Sequence, residues 1–210
     1  MQYVFVCGGR GTRLQPRRVG AKTLVRVGHS TLLERLVTSI GAQHHSEAPP
    51  LVIVDAHDAE TPEVARALLP SAIMIRQREP DGVANALLLA YPHVAETVIV
   101  ALGDVFLDGV FGPVSAEPTL VYWANARESD TEKNFGIRWR ADGTVTEVVE
   151  KPSACEAMRC GTGVYVLDRN AISCFRQAPI DAATGERGSD QAVLEMRQPL
   201  ADMLLAATRT

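Results

Sequence analysis

A glycine-rich segment near the start of the chain has the residue types that bind phosphate. Residues 8–16 read Gly-Gly-Arg-Gly-Thr-Arg-Leu-Gln-Pro, and the stretch 10–26 contains six cationic residues and no acidic one. Glycines let backbone N–H groups approach a phosphate or a base closely, and arginines neutralise phosphate oxygens. The spacing differs from the Walker A loop and from the dinucleotide-binding glycine loop. The segment therefore predicts a site for an anionic ligand, and a tight turn with solvated arginines is the alternative.

Two further segments could complete such a site. Asp104 follows an apolar stretch, and a carboxylate at the carboxyl end of a strand, facing a phosphate loop, is placed to hold Mg²⁺. Residues 77–82 form a polar loop with a Pro-Asp-Gly turn, and a helix that begins there favours anions or polar bases at its N-terminus. Taken alone, each segment also fits an ordinary connecting turn.

The first half of the chain alternates apolar strands with helices, and these elements must position the candidate residues. Strands are expected at 3–7, 51–54, 73–76 and 98–102, and helices at 30–42, 61–69 and 83–91. Fully apolar strands in such an alternation indicate a mostly parallel sheet covered on both faces, the doubly wound, Rossmann-like α/β class. Ligands of this class bind at the carboxyl ends of the strands, where the three segments would meet.

The second half is expected to be richer in strands, at 120–124, 136–140, 145–149 and 164–167. Asp142-Gly143 is typical of a hairpin turn between two of these strands. The tail from Asp190 is expected to be helical. Because the sequence has neither an internal repeat nor a linker, it predicts one domain over residues 1–210.

Composition narrows the classes of function. The 210 residues are 46% hydrophobic and 22% charged, which is ordinary globular composition. A net charge of -4 disfavours a nucleic-acid partner. The longest apolar runs are too short to span a membrane, so no membrane partner is expected. Residues 1–7 lack the basic start and cleavage site of a signal peptide, so a cytoplasmic protein is expected.

The glycine-rich segment resembles the signature loop of the sugar-1-phosphate nucleotidyltransferases, the nucleotide-sugar pyrophosphorylases, which reads Gly-Gly-x-Gly-Thr-Arg-Leu-x-Pro. Residues 77–86 are similar to that family's Gln-x-x-Pro-x-Gly-x-Ala-x-Ala segment, in the version of the glucose-1-phosphate thymidylyltransferases. Further family motifs follow in order: Gly-Asp at 103–104, Asn-Phe-Gly at 134–136, Glu-Lys-Pro at 150–152 and Gly-x-Tyr at 163–165. The resemblance implies the nucleotidyltransferase (GT-A-like) version of the α/β fold, with a nucleotide-binding half at 1–118 and a small, β-rich sugar-binding half at 119–210.

The resemblance also implies roles on the nucleotide side. Arg13 and Lys22 would bind the triphosphate, and Asp104 with Asp190 would hold Mg²⁺. Asp190 also fits a helix N-cap. The nucleotide would be bound by Gly8, Gly9, Gly11, Thr12, Gln77, Pro80 and Gly82, with Gln77 on the base.

The lysine position departs from the family pattern. Ala21 stands where the family has proline, and the loop is about one residue shorter. Arg17 and Arg18 are therefore alternatives to Lys22 as phosphate ligands.

On the sugar side, the resemblance assigns Glu150 to the sugar hydroxyls and Lys151 to the sugar phosphate. A surface ion pair is the alternative for these two residues. Phe135 replaces the tyrosine that is common in the family. The sugar-phosphate site implied by the resemblance consists of Gly136, Glu150, Lys151, Gly163 and Tyr165.

The implied reaction joins a nucleoside triphosphate, with dTTP or UTP favoured, to a sugar 1-phosphate and releases pyrophosphate. Two alternatives stay open. One is transfer to a non-sugar phosphate, a phosphonate or molybdopterin on the same fold. The other is a non-catalytic, nucleotide-sensing subunit. The sequence leaves the sugar and the oligomeric state undecided.

Overall fold

The computed structural model describes residues 1–8, 20–41, 47–79, 81–107, 119–122, 135–141, 145–150 and 158–177, with backbone alone at 119–122, 147–150 and 177. The strands are β1 Gln2–Val6, β2 Arg26–Val27, β3 Ser30–Thr31, β4 Leu51–Asp55, β5 Ile73–Gln77, β6 Thr97–Leu102, β7 Thr119–Tyr122, β8 Phe135–Trp139, β9 Val145–Glu150 and β10 Arg159–Asp168. The helices are α1 Leu32–Ser39, α2 Glu60–Leu68, α3 Val83–Ala90 and α4 Arg169–Cys174. Short 3-10 turns lie at Lys22–Leu24, Tyr91–His93 and Phe175–Gln177.

Eight strands form one sheet in which the order β5-β4-β1-β6 is parallel throughout. Beyond β6 the direction reverses, because β10 pairs antiparallel with β6. Strand β8 follows β10, and β9 pairs with β8, both antiparallel. The sheet therefore has a parallel half built from the first part of the chain and an antiparallel half built from the second.

Strand β10 joins the two halves. Residues 164–168 pair with β6, residues between 161 and 166 pair with β7, and residues 159–160 pair with β8. The register with β7 shifts between Gly161 and Tyr165, which marks an irregularity such as a bulge.

Helices cover the sheet on both faces. Alternate residues of β1 and β4 point to opposite sides, as the two-residue period of a strand requires. Val4 and Ile53 pack with α3 and α4, whereas Phe5 and Val54 pack with α1 and α2. Two cores result, and each is sealed by the buried face of a helix pair.

The helix starts follow from local sequence. Thr31 accepts a hydrogen bond from the Glu34 backbone at 3.2 Å, and the Glu34 carboxylate accepts one from the Thr31 backbone at 2.5 Å. This capping box sets the start of α1. At α2, Asp58 Oδ1 accepts from the backbone N–H groups of Glu60 and Thr61, each at 3.0 Å.

A buried glutamine holds the sheet edge at the amino ends of β1 and β6. Gln2 is 2% exposed. Its amide nitrogen donates to the carbonyls of Pro49 at 2.7 Å and His93 at 3.2 Å, and its oxygen accepts from Ala95 N–H at 2.8 Å. The side chain therefore joins the start of β1 to the segments that lead into β4 and β6.

The expected fold class is confirmed: the sheet and its flanking helices form the predicted α/β arrangement. The helix expected at 30–42 is shorter, because residues 30–31 pair with β2 and the helix ends at Ser39. The Asp142-Gly143 turn and the helical tail lie outside the described residues, although β8 and β9 pair as the turn requires. None of the described helices is long and apolar enough to cross a membrane.

Candidate active site

Several candidate residues lie where parallel strands end. Gly8 follows β1, Gln77 is the last residue of β5, and Asp104 comes two residues after β6. Because the parallel strands point the same way, these residues share the carboxyl edge of the sheet. Gly8, Gln77 and Asp104 thus lie at the edge of the sheet where the sequence analysis expects their segments to meet.

An ion pair joins two of the predicted phosphate and metal residues. Lys22 Nζ donates to Asp104 Oδ2 across 82 positions of sequence. The two side chains are 39% and 36% exposed, so solvent and a ligand can reach both. The lysine belongs to the 3-10 turn Lys22–Leu24, which lies against the end of β6.

Gly103 allows this close approach. A Cβ on Gly103 would lie 2.6 Å from Thr23 Cγ2, 2.7 Å from Cys7 Sγ and 3.2 Å from the Val6 carbonyl oxygen. Only a residue without a side chain fits among these groups. Thr23 is held in turn by a 3.2 Å hydrogen bond between its hydroxyl and that of Thr61, in the interior. The turn that carries Lys22 is therefore fixed by buried contacts.

Cys7 belongs to the structure of this edge and not to its chemistry. Its side chain is buried. Burial raises the pKa of the Cys7 thiol well above its usual range, and the negative charges of Asp58 and Asp104 act in the same direction. The thiol stays protonated at neutral pH, and a protonated thiol is a poor nucleophile.

The predicted base-reading loop has a defined hydrogen-bond network. Gln77 is 6% exposed, and its Nε2 donates to Asp81 Oδ1 at 2.6 Å. A Cβ on Gly8 would lie 2.8 Å from Gln77 Oε1, so the glutamine amide lies against the first glycine of the loop. Gly82 has φ +98° immediately before α3, a conformation that favours glycine.

The predicted sugar-side residues that the structure describes lie in β10, in β8 beside it and in β9, which pairs with β8. Gly163 has φ +78°, and a Cβ there would lie 2.7 Å from Val105, next to Asp104. Gly136 is opposite Cys160 on β10, and Glu150 is the last residue of β9. The cross-strand register therefore brings this half of the candidate site towards the edge that holds Asp104.

Tyr165 lies further from that edge. It pairs with Val100 in the middle of β6, and its ring stacks on Phe135 with centroids 6.1 Å apart. The Phe135 ring covers Gly161, where a Cβ would lie 1.9 Å from a ring carbon. Phe135 thus fills space over β10 by packing, which needs no tyrosine hydroxyl.

The remaining predicted residues lie outside the described part of the chain: Gly9, Gly11, Thr12, Arg13, Pro80, Lys151 and Asp190, together with Arg17 and Arg18. Within the described residues, no group of three or more metal-ligating side chains occurs. The magnesium site predicted from Asp104 and Asp190 therefore stays a prediction.

Sequence reasoning missed two positions. Thr23 was not singled out, because its buried contacts join segments that are distant in sequence. Asp81 was treated as part of a turn, although its carboxylate holds the Gln77 amide. Asp81 lies four residues after Gln77, and its carboxylate can accept a hydrogen bond from the glutamine amide. This spacing could have indicated the pair from the sequence.

Comparisons with known proteins identify the family of the chain. Residues 3–192 match the family model for nucleotidyl transferases. A glucose-1-phosphate thymidylyltransferase of Mycolicibacterium smegmatis is 28% identical over 84% of this chain and 64% of its own length, which is less than two thirds. A UTP–glucose-1-phosphate uridylyltransferase of Haloferax volcanii is 25% identical over 100% of this chain and 86% of its own.

The fold likeness extends to solved structures. A Bacillus anthracis protein assigned as a glucose-1-phosphate thymidylyltransferase superposes with a TM-score of 0.70 at 20% identity, over 91% of this chain and 80% of its own. A UDP-glucose pyrophosphorylase solved with UDP-glucose superposes with a TM-score of 0.65 at 15% identity, over 92% of this chain and 85% of its own. With the family match covering nearly the whole sequence, the chain belongs to the nucleotidyl transferase family.

Proposed function

We propose that the protein transfers a nucleotidyl group from a nucleoside triphosphate, with dTTP or UTP favoured, to a sugar 1-phosphate, and releases pyrophosphate. The observation that carries the proposal is the meeting of Gly8, Lys22, Gln77 and Asp104 at one edge of the sheet. Family membership supports the reaction type. Relatives named for thymidylyl and uridylyl transfer to glucose 1-phosphate support the choice of substrates.

In the proposed reaction an oxygen of the sugar phosphate attacks the α-phosphorus in line. A new P–O bond forms while the bond to pyrophosphate breaks, and the electron pair leaves with pyrophosphate. The nucleophile is already an anion, so the step needs no general base. The protein must instead bring two polyanions together and stabilise charge on the phosphoryl oxygens by positioning and electrostatics.

Lys22 has the features that this task needs. Its ammonium group is partly exposed at the carboxyl edge, and its turn is anchored by the buried hydroxyl of Thr23. A lysine held in this way offers a positive charge to an incoming triphosphate without reorganising the backbone. Arg13 is the second cation that we expect on the phosphates, on the leaving pyrophosphate.

Asp104 is the group that we expect to hold Mg²⁺, together with Asp190. An accessible carboxylate is the hard oxygen ligand that this cation prefers, and one or two carboxylates plus substrate phosphates commonly complete its shell. When bound, the cation would supply charge neutralisation at the phosphate oxygens. Asp104 would then give up its contact with Lys22, which frees the ammonium group for the triphosphate.

The acceptor is expected beside β10. Gly136 is expected to leave room for a sugar ring. The space beside Gly163 is instead filled by Val105 and Leu102, and this packing keeps that part of the backbone close to Asp104. Glu150 would accept hydrogen bonds from sugar hydroxyls, and Lys151 would bind the sugar phosphate. We expect Tyr165 to act there mainly through its stacked ring.

The direct test is pyrophosphate release with Mg²⁺, for each common nucleoside triphosphate against a panel of hexose, amino-sugar and heptose 1-phosphates. Release that needs one triphosphate and one sugar phosphate would support the proposal and name both substrates. Triphosphate binding without release across the panel would instead favour a non-sugar acceptor or a sensing subunit. Failure to bind any triphosphate would contradict the proposal.

Asp104→Asn tests the site itself. The substitution keeps the size of the side chain but removes its negative charge, so it should lower kcat/KM by at least about 100-fold while the fold stays intact. Thermal unfolding and circular dichroism provide the control for folding. Activity within a few-fold of the wild type would remove Asp104 from the mechanism.

A further inference from the structure

We propose that Asp81 is a positioning residue that fixes the Gln77 amide with its carbonyl oxygen presented, so that the nucleotide pocket selects uracil or thymine over cytosine. The inference rests on the proposed function, in which Gln77 contacts the base. The inference adds Asp81 to that contact and states which way the Gln77 amide faces. That orientation decides whether Gln77 offers the base a hydrogen-bond donor or an acceptor, and so which pyrimidine it can bind.

The chemistry of the pair fixes which way the amide faces. Gln77 Nε2 lies 2.6 Å from Asp81 Oδ1. An ionised carboxylate can only accept hydrogen bonds, so the amide must turn its NH₂ group towards Asp81. With the amide nitrogen engaged there, the group that Gln77 can offer to a ligand as an acceptor is Oε1.

The carbonyl oxygen faces the glycine loop. Oε1 lies 2.8 Å from the position that a Cβ on Gly8 would occupy. Gly8 begins the segment that we expect to bind the nucleotide, so the acceptor lies beside the first residue of that segment. Any side chain at position 8 would displace the amide oxygen.

Asp81 is itself held in place by its backbone. Its N–H donates to the Glu79 carbonyl at 2.9 Å, and its carbonyl accepts from Asn85 Nδ2 at 3.0 Å. Gly82 then turns the chain into α3 with its positive φ. These backbone contacts place the loop, whereas the carboxylate–amide pair alone sets which way the Gln77 amide faces.

Uracil and thymine differ from cytosine in the hydrogen-bonding group at ring position 3. Uracil and thymine carry an N3–H donor, whereas N3 of cytosine is an acceptor. With Oε1 placed against ring position 3, as the proposal requires, uracil and thymine form a hydrogen bond, whereas cytosine brings two acceptors together. An unmatched polar pair in a partly desolvated pocket is strongly disfavoured, so a fixed acceptor discriminates by about tenfold or more.

The experiment measures binding directly, so that it does not depend on identifying the sugar. Isothermal titration gives the affinities of UTP, dTTP and CTP for the wild type, Asp81→Asn and Asp81→Ala. The asparagine amide can pair with Gln77 in either orientation, so Asp81→Asn should weaken UTP binding and strengthen CTP binding. In Asp81→Ala the Gln77 amide rotates freely, and the UTP preference should fall by about tenfold.

Asn85→Ala is the matched control. It removes the contact to the Asp81 backbone but keeps the carboxylate–amide pair. It should weaken UTP and CTP by similar factors and leave their ratio unchanged. A purely structural role of Asp81 would give the same pattern, whereas the proposed role changes the ratio.

A test on the ligand side needs no variant. In the wild type, UTP methylated at N3 should bind at least about tenfold more weakly than UTP, because it lacks the donor. Equal binding of UTP and N3-methylated UTP would overturn the proposal. A wild type that prefers CTP would also overturn it, as would an Asp81→Asn variant with the same ratio of UTP to CTP affinity as the wild type. A wild type that binds no triphosphate would overturn the proposed function itself, so the two failures are distinguishable.

Discussion

Gly103→Ala adds a single methyl group at the most crowded point of the candidate site. The new Cβ would lie 2.6 Å from Thr23 Cγ2, 2.7 Å from Cys7 Sγ and 3.2 Å from the Val6 carbonyl oxygen, whereas ordinary contacts lie at 3.4–4 Å. Gly103 does not have a positive φ, so alanine meets no backbone strain. The whole effect is therefore steric.

The magnitude follows from overpacking. Inserting one methyl group into a well-packed interior costs about 1–3 kcal/mol in the free energy of unfolding. Two of the three neighbours are buried side chains and the third is backbone, so we take about 2 kcal/mol. For a protein of about 200 residues that unfolds in one step, this lowers Tm by about 4–8 °C. Because the Lys22 turn rests against Gly103, activity should fall as well.

Thermal and urea unfolding of four proteins tests this reasoning: wild type, Gly103→Ala, Thr23→Ser and the double variant. Serine removes the clashing methyl group of Thr23 but keeps the hydroxyl that bonds Thr61. The double variant should therefore recover part of the loss, giving a coupling free energy of at least about 0.5 kcal/mol. Strictly additive effects, or a Gly103→Ala variant as stable as the wild type, would refute the steric account.

Two other predictions concern buried groups away from the ligand. Gln2→Leu removes three hydrogen bonds at the sheet edge and should cost about 2–4 kcal/mol in urea unfolding, while the proposed activity of the folded protein is kept; a loss under 0.5 kcal/mol would contradict this. Native protein treated with a thiol reagent should be labelled rapidly at the exposed Cys174 and slowly at the buried Cys7 and Cys160. Peptide mapping by mass spectrometry reads out the three sites, and equal rates would contradict the burial described above.

Local patterns accounted for most of the parallel half of the sheet. The first four residues of β4 are all apolar because both faces of the strand are covered, and that property is visible in the sequence. The start of α1 was similarly visible, since Thr31 and Glu34 form the capping box three residues apart. Its end was not, because the pattern of apolar residues continues to Ile40 after the last helical residue.

Contacts between distant segments could not be predicted in the same way. The sequence identified the two residues separately: Asp104 by its place after an apolar strand, and Lys22 through a resemblance to one family. It gave no reason for the two to touch in the absence of a ligand. Gly103 likewise appeared only as part of a motif. Its packing against Cys7 and Thr23 depends on how β1, β6 and the Lys22 turn meet in space.

The position of β10 in the sheet has a consequence for how the chain folds during synthesis. Its neighbour β6 ends at Leu102, but β10 begins only at Arg159. At about 5–20 residues per second, one side of β6 lacks its partner for several seconds after its own synthesis. An unpaired, apolar strand edge invites intermolecular pairing. We therefore expect chains truncated between residues 103 and 158 to aggregate or to be retained by chaperones, although they contain the complete parallel half of the sheet.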